Sequence, residues 1–447
     1  MKRKLSLSNK KIRFWFVSII IFLLGVLLHF TDVFSFLEYK SYDSRISKTA
    51  SFFTPSDEIT FVIVDQESID WASSELGISW PWPRNFVGDI IRYFNIAQAD
   101  AVCFDVLFTE TSSYGRADDE GFAQACKEYG KVVHAIHFME DVTEESGYTA
   151  VSPVPQLQET GAIIANVMSA KDKDDVIRRS RLSFKHEGKE YPTLGLAPLF
   201  MDSESKDLLS SIPVEKDGTI YLRYRNSIDD YIPYRAKEIL QSYYQILQGE
   251  EPLLEPELLK GSKIFYGYYA PGLFDICSTP VSQVYPGVGV HLTLLDTVLN
   301  GDFIRKVPAW LTIIFLAFVS CLGSAVVFLG DSISTKHGIL VTSILFVVQL
   351  IILILISYVV FIPGWWLPFV APLTCYGLSF AVSLLISYAT EGKQKKYLKT
   401  AFRQYLSPEV IEELIANPDR LKLGGERREI SIYFSDLQGF TSISEKL

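Results

Sequence analysis

The sequence predicts an α/β sandwich domain facing the outside of a cell and carried on four transmembrane helices, and three observations predict it. Apolar residues gather into four blocks of bilayer-crossing length. Between the first and second blocks, residues 31–306 hold no run of that length and alternate strand-like with helix-like segments. Lysine and arginine collect on one side of the blocks, which places the long intervening region on the other.

Composition narrows the class. A chain of 447 residues has room for two or three domains, and 48% hydrophobic with 13% aromatic residues is too apolar for disorder. The net charge of -10 argues against a nucleic-acid partner. Cys103, Cys126, Cys277, Cys321 and Cys375 are odd in number and lack metal-type spacing, so no disulfide framework is expected.

Residues 1–13 carry Lys2, Arg3, Lys4, Lys10, Lys11 and Arg13 with no acid, and read as a cytoplasmic N-terminus. Residues 14–30 form the first span, with Trp15 at the interface. A signal peptide shares this charged start. No small-x-small cleavage pattern follows in residues 31–36, so the span is read as an uncleaved anchor that sends the chain outward.

Within residues 31–306, Glu58 to Val64 is β-branched and apolar, Asn85 to Phe94 has helical spacing, and Ala101 to Phe108 is strand-like again. Asp118 and Asp119 open a helix towards Tyr129. Lys131 to Phe138 and Lys263 to Tyr269 complete the strands. The rhythm predicts a sandwich with partly parallel strands.

Spans return at 309–329, 338–361 and 367–388. They leave Lys336 and the cluster Lys393, Lys395, Lys396 and Lys399 inside, with Pro363-Gly364-Trp365-Trp366 as an outer turn. Ala317, Cys321 and Ala325 on one span, and Gly377 with Ala381 on another, are small enough for close helix contact. The spans hold no charge and one notable polar residue, Gln349, so an anchor and relay fits better than a transporter.

Residues 389–427 are expected to be cytoplasmic helices and linker. Leu398, Ala401, Phe402, Tyr405 and Leu406 recur at helical spacing beside a basic face, up to a Ser407-Pro408 start for a second helix, Glu409 to Ala416. That face suits either pairing with a second chain or packing on its own domain or the bilayer. In residues 428–447, Ile430, Ile432 and Phe434 alternate with polar partners as in a strand that ends at Asp436. Gly439 permits a tight turn, and Ser442 with Glu445 makes a capping box. A carboxylate there serves as a helix cap or as a hard ligand for Mg²⁺, with the new helix's N–H groups facing phosphate.

Residue by residue, this end resembles the opening of a class III adenylate/guanylate cyclase domain. The likeness runs through Phe402-Arg403-Gln404-Tyr405-Leu406-Ser407-Pro408-Glu409-Val410, Leu423-Gly424-Gly425-Glu426-Arg427-Arg428 and Phe434-Ser435-Asp436-Leu437-Gln438-Gly439-Phe440-Thr441. It implies the start of an α+β ferredoxin-like cyclase domain in which Asp436 and the Leu437 carbonyl bind metal, and Gln438, Gly439, Phe440 and Thr441 face the triphosphate. Gln438 stands where that family often has Arg or an apolar residue. The resemblance further implies Mg²⁺ or Mn²⁺ as a pair of ions, ATP or GTP as substrate, and a homodimer. The second metal-binding Asp and an Asn/Arg pair would lie beyond Leu447, so residues 1–447 alone are expected to be inactive.

Residues 31–306 resemble the second class of CHASE domains, the extracellular sensors of cyclases and histidine kinases. The carriers are Tyr42-Asp43-Ser44-Arg45, Val64-Asp65-Gln66-Glu67-Ser68, Trp80-Pro81-Trp82-Pro83-Arg84 and Phe104-Asp105-Val106-Leu107-Phe108. Val176-Ile177-Arg178-Arg179, Asp275-Ile276-Cys277-Ser278-Thr279-Pro280 and Pro286-Gly287-Val288-Gly289-Val290-His291 continue them. Asp174-Asp175 replaces the usual Asp-Gly turn, and Gly289 sits where Glu is common. The resemblance implies a sensor without naming its external signal.

The sensor candidates are Asp65, Trp80, Trp82, Arg84, Asp105 and Asp275. Trp80 and Trp82, stiffened by the prolines beside them, present two indoles to a ligand or bury them at a strand-to-helix corner, the second being the preferred reading. Asp65, Asp105 and Asp275 at strand ends suggest a shared cation pocket, or hydrogen bonds to loop backbone and to Arg45, Arg84 or Arg178. His134 and His137 are excluded as a metal pair, because strand residues three apart point to opposite faces. The sequence therefore predicts a receptor cyclase of the bacterial inner membrane. A non-catalytic receptor with a degenerate cyclase-like segment, kept for dimerisation or partner binding, is the alternative.

Overall fold

The computed structural model describes residues 10–144, 146–201, 205–273, 275–330, 338–402, 429 and 431–435. A seven-stranded sheet organises the large domain. Its strands are β1 (Ile59–Val64), β2 (Ala101–Phe104), β3 (Val132–Glu140), β4 (Tyr148–Val151), β5 (Ile163–Asn166), β6 (Tyr234–Arg235) and β7 (Lys263–Tyr268), in the order β6-β1-β7-β2-β3-β4 with β5 also on β3. All pairings are parallel except that of β3 with β4. β1 is buried along its whole length, so its apolar run serves both faces.

Those faces carry different layers. Ile59, Phe61 and Ile63 of β1 point into one core with α7 (Gly287–Leu299), while Val62 and Val64 point into the other. That second core packs α3 (Gln66–Leu76), α4 (Arg84–Ile96), α5 (Arg116–Tyr129) and α6 (Ala236–Gln248). Of the smaller antiparallel pieces, residues 170–171 with 177–181 and 219–221 add Ile177, Ile220 and Tyr221 to the first core, while 183–186 with 189–192 pack Phe184 and Tyr191 on Ile136 and Phe138 of β3 in a separate cluster. The expected strand from Ala101 to Phe108 stops at Phe104: the apolar residues beyond it line a cavity rather than a ladder.

Among the described residues, four helices are long and apolar enough to span a membrane: α1 (Lys10–Phe30), α8 (Ala309–Gly330), α9 (Gly338–Phe361) and the apolar part of α10 (Val370–Phe402). α1, α8 and α10 pack mutually around Val17, Ile21, Leu316, Val319 and Cys375. The close approach of α8 to α10 runs through Gly323, where a Cβ would stand 2.5 Å from the Tyr376 carbonyl oxygen. The expected stripe of Ala317, Cys321 and Ala325 sits one position aside, and Gly377 faces open space. Gln349 is satisfied within the bundle by the Tyr376 hydroxyl at 3.1 Å.

Three features depart from the expected organisation. A helix that sequence spacing did not signal, α2 (Ser35–Thr49), follows α1 directly and buries Tyr42, Arg45, Ile46 and Thr49. The last span and the amphipathic segment after it form one uninterrupted helix through Phe402. The strand expected across Ile430 to Ser435 pairs with nothing among the described residues 431–435, where Ile432, Tyr433 and Phe434 stand exposed without a ladder. All five cysteines are free.

Candidate functional site

A cavity of about 810 Å³ opens at the carboxyl edge of β2 and β7. Ligand sites of parallel sheets lie in this position, because strand ends and the loops leaving them converge there. Trp80, Trp82, Arg84, Asp105 and Asp275 all line it, five of the six candidates named from sequence. Asp65 does not. It caps α3, accepting from the Ser68 amide at 2.9 Å and the Ser68 hydroxyl at 2.6 Å, and pairs with Arg235 at 3.0 Å. A shared pocket of three carboxylates is therefore not formed, and among the described residues no group of three or more His, Cys, Asp or Glu is gathered for a metal ion.

Asp105 is placed by its backbone, whose amide donates to the Tyr266 carbonyl at 2.9 Å. Its carboxylate meets no hydrogen-bond donor or cation among the described residues. Loss of water around it, and then the charge of Asp275, push its carboxyl up to about 7. None of the arginines named as possible partners serves Asp105 or Asp275. Arg84 is held by Asp119 and the Glu110 carbonyl and lies over the Phe108 ring; Arg45 pairs with Glu38, and Arg178 with Asp43, Asp172 and Asp174.

The rim is firmly built. Asp118, buried in the first turn of α5, accepts from the Arg84 and Asn85 amides at 2.7 and 2.8 Å and so caps α4 from a neighbouring element. Trp82 is buried against Phe86 at 5.0 Å between centroids, as the corner reading expected. Trp80 remains half-buried, packed edge-on against Trp82 at 5.7 Å and Tyr268 at 5.0 Å, and both indoles border the cavity. His134 and His137 diverge as expected. His137 lines the cavity, and His134 is sealed among Phe104, Phe108 and Phe122.

Sequence reasoning missed Tyr266, Tyr268, Phe108 and His291, which complete the wall. Tyr266 and Tyr268 share a strand period ending at the cavity, a signal that was present but silent without the sheet order. Trp82 Nε1, Tyr266 Oη and His291 Nδ1 are buried without hydrogen-bond partners among the described residues. Burial pushes His291 down to about 4, so its ring is neutral.

A second cluster joins the domain to the membrane helices. Glu38 of α2 accepts from the Val370 amide at 2.9 Å, the Phe369 amide at 3.0 Å and the Trp366 indole at 3.2 Å, and pairs with Arg45 at 3.0 Å. Arg45 also donates to the Leu367 carbonyl at 2.9 Å. Arg223 reaches the Phe361 and Ile362 carbonyls at 3.5 and 3.3 Å, at the end of α9. Phe361 and Trp366 belong to the same core as β1 and α7. The link between the last two spans is thus part of the domain itself.

A mostly parallel sheet with a lined cavity at its carboxyl edge, joined at its base to helices long and apolar enough to cross a membrane, defines a mixed α/β domain of the membrane-linked class. Residues 17–325 match the CHASE2 domain, and the chain belongs to that family. CHASE2 is an extracellular sensor domain, so the chain carries the sensing part of a signalling receptor. The match starts within α1 and ends within α8, so the family's unit includes the membrane junction. No curated protein and no solved structure matches the chain. Asp436, Leu437, Gln438, Gly439, Phe440 and Thr441 lie outside the described residues.

Proposed function

We propose that this chain is the sensor and membrane portion of a receptor cyclase of the bacterial inner membrane. An external signal taken up by the large domain governs formation of cAMP or cGMP from ATP or GTP by a cytoplasmic homodimer. The sensor half rests on membership of the CHASE2 family. The cyclase half rests on one observation, the residue-by-residue resemblance of Phe402 to Thr441 to the opening of a class III cyclase domain. In that reading Asp436 and the Leu437 carbonyl hold one part of a site for two Mg²⁺ or Mn²⁺ ions.

The route between the halves is supported by α10. It begins where Glu38 grips its first amides and runs unbroken to Phe402, where the cyclase resemblance starts. Rotation or tilt of the domain therefore moves the helix that leads into the cyclase segment.

The test uses the full-length gene product in membranes, supplied with ATP or GTP and with Mg²⁺ or Mn²⁺, as wild type and Asp436→Ala. Cyclic nucleotide formed by the wild type and lost in the variant supports the proposal and names the nucleotide. A well-folded dimer without activity on either nucleotide favours the non-catalytic receptor.

A further inference from the structure

We propose that the cavity at the carboxyl edge of β2 and β7 binds a small organic ammonium ion, with Asp105 as its counter-ion and the rings of Trp80, Trp82 and Tyr268 as its walls. The proposal deepens the receptor reading by naming the class of signal.

Charge and shape both lead there. The lining holds three acids, Asp105, Asp275 and Glu110, against two strong bases, Arg84 and Lys171, with the imidazoles of His137 and His291 beside them. Arg84 is already committed to Asp119 and to a backbone carbonyl, and among the described residues Lys171 is the other strong base of the lining. An anion entering the cavity would therefore meet more like charge than unlike. A neutral ligand would leave the ionised form of Asp105 without a counter-charge, which a cation supplies. A hard cation such as Ca²⁺ takes about six or more oxygen ligands and Zn²⁺ about four of His, Cys or carboxylate, and among the described residues no group of three or more His, Cys, Asp or Glu is gathered for either.

An organic cation satisfies both parts of the wall. Its N–H groups or its positive charge meet Asp105, and its alkyl surface lies on aromatic faces whose quadrupoles attract cations. Trp80 stands edge-on to both Trp82 and Tyr268, so the three rings form a corner rather than a flat patch. A cavity of about 810 Å³ suits an organic ligand and exceeds what one desolvated metal ion occupies.

The experiment titrates the full chain in detergent micelles at mildly alkaline pH with benzylamine, and in parallel with benzyl alcohol as its neutral counterpart, by calorimetry and tryptophan fluorescence. Wild type is expected to bind benzylamine saturably and about tenfold or more tighter than benzyl alcohol. Asp105→Asn, nearly isosteric, is expected to abolish that preference while leaving weak benzyl alcohol binding. Equal affinity for the two probes, benzylamine affinity unchanged in Asp105→Asn, or no saturable binding overturns the proposal. Should Asp105→Asn fail to fold, Trp80→Leu at the half-buried rim replaces it, and unchanged benzylamine affinity there overturns the proposal equally. The readout is binding alone, so its failure leaves the cyclic-nucleotide assay undecided, and an inactive cyclase leaves the binding result standing.

Discussion

The Glu38 carboxylate accepts the Val370 amide hydrogen at 2.9 Å, so a side chain from α2 caps the start of the last membrane helix. The first amides of a helix have no partners of their own, and an anion there also meets the positive end of the helix dipole. Sequence separation makes the contact informative. One residue just past the first span sets the position of the helix that leaves the last.

Replacing Glu38 by Ala strips the cap from α10 and leaves the buried Arg45 guanidinium without its carboxylate. The loss is expected to be about 2 kcal/mol, below the range for fully buried pairs because Glu38 keeps some exposure. Glu38→Gln keeps an acceptor oxygen and should lose less. Urea unfolding in micelles checks both, and identical midpoints for wild type and Glu38→Ala would sink the capping argument.

His134 supplies a pH test. Both its ring nitrogens are buried without partners among the described residues, and burial, with Arg84 adding to it, pushes the imidazole down to about 3. The unfolded chain, titrating near 6.5, then binds a proton that the folded chain refuses. Stability from this group is complete above 6.5 and falls as pH drops towards 3, by roughly 2 kcal/mol at about pH 5. His134→Phe should flatten that slope, since Phe104, Phe108 and Phe122 already surround the ring at 5.8, 6.1 and 5.9 Å. Thermal midpoints of the two proteins between mildly acidic and neutral pH decide it; parallel curves would exclude His134 as the cause.

The two departures from the CHASE2 pattern have opposite consequences. Asp175 takes φ +59°, the left-handed conformation in which glycine is least strained, so Asp175→Gly should stabilise by about 0.5 kcal/mol. At Gly289 a Cβ would stand 2.4 Å from Tyr285 Cε1 and 2.7 Å from Ile228 Cδ1. Gly289→Ala is expected to cost about 2 kcal/mol by overpacking a buried helix face, and Gly289→Glu more. Denaturation midpoints moving the other way at either position would contradict the local geometry.

Periodicity made β1, β3 and β7 legible, because a buried parallel strand is a short apolar run whatever its neighbours. The spans were legible from length alone. β2 was overextended because Val106, Leu107 and Phe108 continue the apolar run after the chain has left the sheet for the cavity. The site was half legible. Tryptophan, proline and aspartate at strand ends pointed to it, but Tyr266, Tyr268 and His291 arrive from β7 and α7, whose place beside β2 depends on a strand order that no local pattern encodes. The same holds for Asp65, which resembles Asp105 in sequence context yet serves as a helix cap. Arg223 and Arg225, which alternate with Leu222 and Tyr224, carry the pattern of an exposed face; both are buried, because carbonyls and Asp296 meet them there.

Arg223 gives the last prediction. It is 2% exposed, and its guanidinium donates to the Phe361 and Ile362 carbonyls and lies over the Phe53 ring at 4.5 Å. A helix ends with unpaired carbonyls and negative dipole charge, and Arg223 answers both at the end of α9 as Glu38 does at the start of α10. The two residues hold opposite ends of the link between the last spans, each from a different element of the domain. Arg223→Lys keeps the charge but concentrates it on one nitrogen, which cannot span the same carbonyls, and should cost about 1 kcal/mol. Arg223→Met should cost about 2 kcal/mol, because the Ile362 carbonyl loses the guanidinium donor while the Phe361 carbonyl keeps the Gly364 amide at 2.9 Å and most of the volume is kept. If holding the link is what Arg223 does, Arg223→Met combined with Glu38→Ala should loosen the link more than either alone. Hydrogen exchange at residues 361–370 measures that directly. Exchange unchanged in the double variant would mean that core packing of Phe361 and Trp366, rather than these two side chains, fixes the last helices to the domain.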